Sequence, residues 1–189
     1  MALASPYINA ALNVERVIYA GAVPAHKPVS FHLQTERLTM RLWAESDVDD
    51  YRALVAERDD VMPTVENIRA RIATQLATTA LTGIALLPIY RRAEGDFIGY
   101  CGLTAGRASV DEPEIAYELL RRAHGYGYAT EAARAVLDAA ISTGRTRLWS
   151  TVRTWNEPSF RVLEKLGFHR DHVSLDDRGE LVWLTCPLP

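Results

Sequence analysis

Apolar residues recur at strand or helix spacing from Thr35 to the end of the chain, and their pattern predicts the elements of a fold. A half-buried strand is predicted where apolar and polar residues alternate, at Leu38, Met40 and Leu42. A first helix follows, and Ser46 with Asp49 three residues later resembles a capping box at its start. Its predicted inward face comprises Val48, Tyr51 and Val55. A second helix starts near Thr64, and its predicted inward face comprises Val65, Ile68, Ile72 and Leu76.

Three extended runs occupy the middle of the chain, at residues 84–90, 97–103 and 114–120. The first two flank a short polar segment in which Gly95 suits a hairpin turn. Short connections are typical of antiparallel strands, whereas parallel strands need long crossovers. We therefore expect these three strands to form a consecutive antiparallel meander.

The last third of the chain predicts a long helix, a strand, a short helix and two further strands. The long helix should end at Gly144, and its inward face comprises Ala129, Ala132, Ala133, Val136, Leu137, Ala140 and Ile141. The short helix begins around Asn156 and Pro158 and ends at Gly167. The strands are predicted at residues 148–154, 168–173 and 181–186. This order predicts an α+β fold, in which helices flank a mixed, mainly antiparallel central sheet.

Residues 1–33 are rich in alanine, contain scattered prolines and show no sustained strand or helix spacing. A short strand at residues 17–19 is the one element that their pattern suggests. We expect residues 1–33 to be an N-terminal extension of unknown role. Residues 34–189 should form one domain, because a chain of 189 residues fits a single domain.

Composition and charge narrow the range of functions. A net charge of −3 and a pI near 6.0 argue against a nucleic-acid-binding protein, which usually carries a basic surface. No apolar run approaches the roughly 20 residues of a membrane span, and the N-terminus lacks the features of a signal peptide. Cys101 and Cys186 both lie in predicted strands, which favours reduced thiols, and a disulfide or a catalytic thiol is the alternative. We expect a cytoplasmic protein that binds neither nucleic acid nor a membrane.

One glycine-rich turn joins a predicted strand to the long helix, with the pattern Arg122-x-x-Gly125-x-Gly127. The first N–H groups of a helix lack partners within it, and the helix dipole adds partial positive charge there. Glycine lets the main chain approach an anion closely, so this geometry suits a pyrophosphate. The two glycines alone are weak evidence, because this tripeptide is expected by chance about once in such a chain. A tight turn that binds nothing is the alternative.

Two familiar phosphate-binding loops are excluded at this turn. The dinucleotide-binding pattern needs a third glycine where this chain has Thr130. The Walker pattern needs a Gly-Lys pair, which the chain lacks. The turn is therefore neither of these two loops.

The turn is part of an ordered set of motifs that resembles the GNAT N-acetyltransferase family, most closely its Rim-type branch of ribosomal-protein alanine N-acetyltransferases. The set comprises Glu36-Arg37-Leu38-x-x-Arg41, Ile98-Gly99, the EIAYEL and HGYGYATEA segments that begin at Glu114 and His124, and Asn156-x-x-Ser159-x-x-x-Leu163-Glu164-Lys165-Leu166-Gly167-Phe168. These motifs keep their order from Thr35 to the end, and residues 1–33 are not covered. The resemblance implies a GNAT-like three-layer fold that uses acetyl-CoA as acyl donor and needs no metal.

The resemblance implies that the turn binds the pyrophosphate of coenzyme A. Arg122 opens the turn, and His124 would lie beside the phosphates. The main-chain N–H groups that would bind the pyrophosphate belong to Gly125, Tyr126, Gly127, Tyr128, Ala129 and Thr130.

Further contacts to coenzyme A follow from the same resemblance. Free backbone groups near Leu119 and Leu120 would bind the pantetheine arm, and an N–H near Leu119 could hold the developing oxyanion. The Asn156 side chain would contact the same arm, although an ordinary helix N-cap is the alternative. Arg161 and Lys165 would contact the 3′-phosphate, and solvated helix charges are the alternative for both.

Three residues are candidates for the proton transfers of acyl transfer to an amine. A carboxylate can accept the proton of the amine, directly or through water. Glu114 matches the strand glutamate of the family and ranks first, and Glu118, four residues later, points to the same face. Ser159 matches the Rim-type serine and could protonate the departing thiolate, whereas Leu163 replaces the tyrosine acid of many members. The alternatives are two solvent-facing carboxylates and a small helix residue that faces the core.

The sequence therefore predicts an acetyltransferase that moves the acetyl group of acetyl-CoA to a primary amine by direct attack in a ternary complex. The amine is a protein N-terminus or a small molecule, and resemblance alone does not choose between them. A homodimer is compatible with this family. Because the tyrosine acid is missing, a non-catalytic module that binds or senses acyl-CoA is the alternative function.

Overall fold

Eight strands form one sheet in the computed structural model, which describes residues 26–59 and 61–189, and their order is β1-β2-β3-β4-β5-β6-β8-β7. The strands are β1 (Leu33–Gln34), β2 (Leu38–Met40), β3 (Leu86–Arg91), β4 (Phe97–Thr104), β5 (Glu114–Leu119), β6 (Arg147–Arg153), β7 (His169–Asp176) and β8 (Gly179–Pro187). The α-helices of these residues are α1 (Val48–Asp59), α2 (Val65–Thr82), α3 (Tyr128–Ile141) and α4 (Glu157–Lys165). The strand expected at residues 17–19 lies outside the described residues.

All neighbouring strands of this sheet are antiparallel except β5 and β6, which are parallel. The consecutive meander of β3, β4 and β5 is therefore confirmed. The α+β fold class, with a mixed and mainly antiparallel sheet, is confirmed as well. None of the helices in the described ranges is long and apolar enough to cross a membrane.

Helices α3 and α4 pack on one face of the sheet. The inward residues Ala132, Ala133 and Ala140 of α3 are fully buried against strand residues such as Ile98 and Ile115. Their small side chains let the helix lie close to the sheet, and close packing maximises dispersion contacts. α3 is thereby held with its N-terminus at the end of β5.

Helices α1 and α2 cover the opposite face, over β3, β4 and the end of β5. A second core lies beneath them, and its fully or nearly buried members are Trp43, Tyr51, Leu54, Ile68, Phe97 and Tyr100. Because successive strand residues alternate between faces, β5 presents Tyr117 and Leu119 towards α3 and Glu114 and Glu118 towards the α1 side. The sheet thus forms the middle of three layers.

Two local predictions are wrong. The start of the first helix is capped not by Ser46 and Asp49 but by Asp47, whose carboxylate accepts from the Ala44 N–H at 2.8 Å. A 3₁₀ turn precedes α1 and shifts the cap by two residues. Leu76 is 36% exposed, because steps of four residues drift around a helix by about 40° each. The buried face of α2 instead continues from Ile72 to Thr79.

Candidate functional site

The strands β5 and β6 diverge after one point of pairing. Their only registered pair in the described residues is Glu114 with Trp149. The Ser150 hydroxyl also donates to the Ile115 carbonyl, at 3.2 Å. β5 continues to pair with β4 along its whole length, so a gap opens between β5 and β6.

Main-chain groups of β5 face this gap. The Leu120 N–H donates to the Ile98 carbonyl on β4 at 2.9 Å. Because bonded residues alternate along an antiparallel pair, the main-chain groups of Tyr117 and Leu119 face the opposite side, towards β6. The main chain of Leu119 can therefore contact a ligand in the gap, as expected. The N–H of Leu120 cannot, because it is hydrogen-bonded to β4.

The glycine-rich turn follows the C-terminal end of β5, at the opposite end of the strand from the Glu114–Trp149 pair. Gly125 and Gly127 have φ angles of 84° and 82°, in the left-handed region that favours glycine. α3 starts directly after Gly127, and the Glu131 N–H donates to the Gly127 carbonyl at 3.1 Å. The N–H groups of Tyr128, Ala129 and Thr130 therefore belong to the first turn of α3. A Cβ atom built on Gly125 would meet nothing within 4 Å, so this glycine borders open space.

Arg37 holds the turn from the connection between β1 and β2. Its guanidinium donates to the Tyr126 carbonyl at 3.0 Å, pairs with Glu131 at 2.6 Å and lies 4.6 Å from the centre of the Tyr128 ring. The N–H of a trans peptide points away from its carbonyl, so the Gly127 N–H points away from Arg37. The sequence identified Arg37 only as part of a motif, because nothing local relates it to a turn 89 residues later.

Arg122 fixes the other side of the turn. It donates to the Asp96 carboxylate and to the Phe97 carbonyl, and thereby ties the turn to the β3–β4 hairpin. Arg91 donates to Asp96 as well, at 2.7 Å, and these hydrogen bonds lower the pKa of Asp96. A cavity of about 220 Å³ lies beside the turn, and it is lined by Arg91, Ile98, Arg122, Ala123, Tyr126 and Tyr128.

The His124 ring reaches back to β5. Its Nε2 lies 2.9 Å from the Leu119 carbonyl, and since a carbonyl only accepts, Nε2 carries the proton. The side chain therefore contacts the residue at the edge of the gap.

The first turn of α4 lies across the gap from β5. Asn156 is the N-cap of this helix, and its Oδ1 accepts from the Ser159 N–H at 3.4 Å. The Tyr117 hydroxyl donates to the Ser159 carbonyl at 3.1 Å and so links β5 to α4. Asn156 therefore caps the helix, which is the alternative role that the sequence allowed for it. Ser159 lies in the same helical turn and is half-buried.

Three further residues of α4 bear on the coenzyme A hypothesis. Leu163, which replaces the family tyrosine, is fully buried in the core. Arg161 and Lys165 are both exposed. Either cation can therefore reach a solvent-facing phosphate group.

Glu118 is a largely buried carboxylate on the α1 side of the sheet, next to Leu119. Its Oε2 accepts from the Tyr100 hydroxyl and from Arg58, both at 3.0 Å. Burial raises the pKa of Glu118, and this effect outweighs the lowering by Arg58 and Tyr100. Its side chain remains 22% exposed, so a substrate or water can reach it.

Glu114 is more deeply buried, with an exposed fraction of 5%. Its Oε1 accepts from the Arg107 N–H, and its Oε2 accepts from the Thr151 hydroxyl at 2.8 Å. A Cβ on Gly106 would approach the same carboxylate to 2.5 Å. Glu114 therefore links the loop after β4 to β6.

Comparison with known proteins relates this geometry to one family. A family model for the acetyltransferase (GNAT) domain matches residues 37–169. The YkkB protein of Bacillus subtilis (strain 168) is 28% identical over 145 residues, which cover 72% of this chain and 84% of that protein. An acetyltransferase structure from Agrobacterium tumefaciens is 27% identical at a TM-score of 0.70, covering 88% of this chain and 99% of that one.

A solved structure of a coenzyme A complex shares the fold. The RimL ribosomal L7/L12 alpha-N-protein acetyltransferase in complex with coenzyme A has a TM-score of 0.71 and 14% identity. The match covers 86% of this chain and 98% of that one. At this identity the likeness concerns the fold.

Proposed function

Because the chain belongs to the GNAT acetyltransferase family, we propose that it transfers the acetyl group of acetyl-CoA to a primary amine by direct attack. One observation carries this proposal: the gap between β5 and β6 opens at the same end of β5 as the turn of Gly125 and Gly127. A diphosphate at the turn and an extended acyl arm in the gap would place the thioester beside Leu119. The RimL structure with coenzyme A supports the choice of donor.

The residues of the turn fit a pyrophosphate. Gly125 borders open space that a Cβ would enter, and Gly127 directs its N–H away from Arg37. The first N–H groups of α3 and the helix dipole favour an anion there. Arg122 supports the shape of the turn through Asp96, so we expect the main chain to bind the phosphates.

We expect Glu118 to accept the proton of the incoming amine. It adjoins Leu119, and burial raises the pKa of its carboxyl, which improves the match to an amine proton near neutral pH. Glu114 ranked first from its motif, but both of its oxygens accept hydrogen bonds and it is almost inaccessible. Its contacts favour a role in holding the loop that follows β4.

The other charges of the reaction have candidate partners as well. The Leu119 N–H faces the gap and would donate to the thioester oxygen as negative charge develops on it. A thiol has a pKa of about 8.5, so its thiolate can leave near neutral pH without a strong acid. The reaction can therefore tolerate Leu163 in place of the tyrosine acid of many family members. Ser159, in the first turn of α4, is the remaining candidate to donate to that sulfur.

A thiol-release assay tests this function. The full chain is incubated with acetyl-CoA and a panel of amines that includes alkylamines, polyamines and peptides with free N-termini. Cys101 and Cys186 are buried, so a thiol reagent should report released coenzyme A rather than protein thiols. We expect release that depends on the amine, and mass spectrometry should identify an N-acetyl product.

Binding without turnover separates the alternative. Coenzyme A at 100 times its dissociation constant should stabilise the fold by about 2.7 kcal/mol, which a thermal-shift experiment detects. A clear shift with no product from any amine would favour the acyl-CoA sensing module. The absence of both shift and product would contradict acyl-CoA binding itself.

A further inference from the structure

Three aromatic rings cluster on the β6–β8–β7 end of the sheet. Trp183 stacks on His172 with 5.1 Å between ring centroids and 16° between the planes. Trp149 meets Trp183 edge to face, at 5.9 Å and 81°. The His172 side chain is 50% exposed and both tryptophans are half-buried, so part of each ring is accessible in the described structure.

This aromatic cluster shares a sheet face with the proposed base. Trp149 pairs with Glu114, and Thr151, two residues later, donates to the same carboxylate at 2.8 Å. Thr151 pairs with Trp183 on β8, which places Trp183 on that face as well. From the strand rise and spacing, the Cα atoms of the three residues lie roughly 12–16 Å from that of Glu118, and the divergence of β6 from β5 lengthens this distance.

Three ring nitrogens of the cluster already have partners. One ring nitrogen of each residue pairs with a neighbour at 2.7–3.0 Å: Trp149 with Glu112, Trp183 with Ser174 and His172 with Asp171. These contacts help to fix the orientation of the three rings. Arg147 lies over the Trp149 ring, 5.5 Å from its centre, so what the cluster offers a ligand is the remaining flat apolar surface of the rings.

We propose that Trp149, His172 and Trp183 form an acceptor subsite that receives a flat aromatic or heteroaromatic group of the amine substrate. This inference rests on the proposed transfer to an amine. Aromatic rings prefer offset-stacked or edge-to-face contacts, and this cluster contains both arrangements. A chain of several atoms between ring and amine would place the ring on the cluster and the nitrogen near Glu118.

Two matched series of amines test the proposal. Phenylalkylamines with linkers of various lengths are compared with cyclohexylalkylamines of the same lengths, which have similar apolar area but puckered rings. We expect kcat/KM to favour the phenyl compound by about three- to tenfold at the best linker length. Quenching of tryptophan fluorescence in the presence of coenzyme A measures binding of the same amines without turnover.

Substitutions in the aromatic cluster should remove this preference selectively. In Trp183→Leu we expect the phenyl and cyclohexyl compounds to become equal, with the KM for acetyl-CoA unchanged, whereas Trp183→Phe should keep part of the preference. His172→Ala removes the stacked ring from an exposed position and serves if Trp183→Leu does not fold. Leu175→Ala is the control. Leu175 lies on β7 like His172 and is 78% exposed, but its side chain is on the opposite face of the sheet from the aromatic cluster.

The outcomes separate this inference from the proposed function. Acetylation of amines with no phenyl preference, or an equal loss for both series in Trp183→Leu, would overturn the aromatic subsite and leave the transferase intact. Ring-dependent binding without any acetylation would keep the subsite and contradict the transferase. Absence of both would overturn both.

Discussion

Replacing Glu118 with glutamine removes the proposed base while keeping the shape of its side chain. The amide oxygen can still accept from Tyr100 and Arg58, which both contact Oε2 in the structure. What is lost is the ability to take a proton from the amine. At pH 7 only about one in 2,500 molecules of an alkylamine with a pKa of ~10.4 is neutral, so the substrate brings a proton that must be removed.

The expected loss follows from the size of general-base catalysis. We expect kcat/KM at pH 7 to fall by about 10²–10⁴-fold in Glu118→Gln, with little change in the KM for acetyl-CoA. In the wild-type protein kcat/KM should fall as the pH drops through the pKa of Glu118, which burial raises above its ordinary value of 4.5. The variant should lack this acidic limb, and its deficit should shrink at high pH as the amine loses its own proton.

The assay is thiol release as a function of pH, and Asp59→Asn provides the control. Asp59 also pairs with Arg58, at 2.9 Å, so its loss disturbs Arg58 while leaving Glu118 in place. We expect Asp59→Asn to stay within about threefold of wild type. If Glu118→Gln kept most of its activity and the acidic limb, or if Asp59→Asn lost as much, Glu118 would not be the base.

Three further substitutions test the contacts that position the site. Arg37→Ala should weaken coenzyme A binding by about tenfold, since the Tyr126 carbonyl loses a charged donor, and unchanged affinity in a titration would refute this role. Asp47→Asn should lower the free energy of unfolding in urea by about 3 kcal/mol, because Asp47 is 2% exposed and paired with Arg41. Burial raises the pKa of Asp47, but its hydrogen bonds outweigh this effect and lower the pKa below 3.8. The wild type should therefore lose this stability as the pH falls below about 4. If the free energy of unfolding of the variant fell equally steeply with pH, this reasoning would be contradicted. Glu114→Gln should cost about 1–3 kcal/mol of stability but less than tenfold in kcat/KM, and a loss as large as that of Glu118→Gln would reverse our assignment.

Local patterns were sufficient to predict most of the elements and the turn of this fold, although not the short strand β1. Alternation and helical spacing depend on neighbouring residues, so the β3–β5 meander and the long helix could be read from them. The position of the turn followed from Gly125 and Gly127 between a strand and a helix. The prediction that Leu76 faces inward was wrong, because residues spaced four apart drift away from the buried face over successive turns.

Contacts between distant parts of the chain could not be predicted in this way. Glu118 and Arg58 are 60 residues apart, and only the packing of α1 over β5 brings them together and distinguishes Glu118 from Glu114. The aromatic cluster depends on the strand order β6-β8-β7, which no local pattern contains. A single sequence shows which residues alternate, but it shows which strands are neighbours only where consecutive strands form a meander.

The most direct test of the account is a calorimetric titration of coenzyme A into the wild type, Gly125→Val and Gly144→Val. The two glycines have almost the same φ, 84° and 82°, and a Cβ on either would meet nothing within 4 Å. Valine should therefore strain both sites by a similar amount, about 1–3 kcal/mol, although Gly144 lies just beyond the far end of α3. We predict that Gly144→Val binds coenzyme A nearly as the wild type does, while Gly125→Val loses at least 100-fold in affinity. Equal affinities in the two variants would contradict a phosphate-binding turn at Gly125.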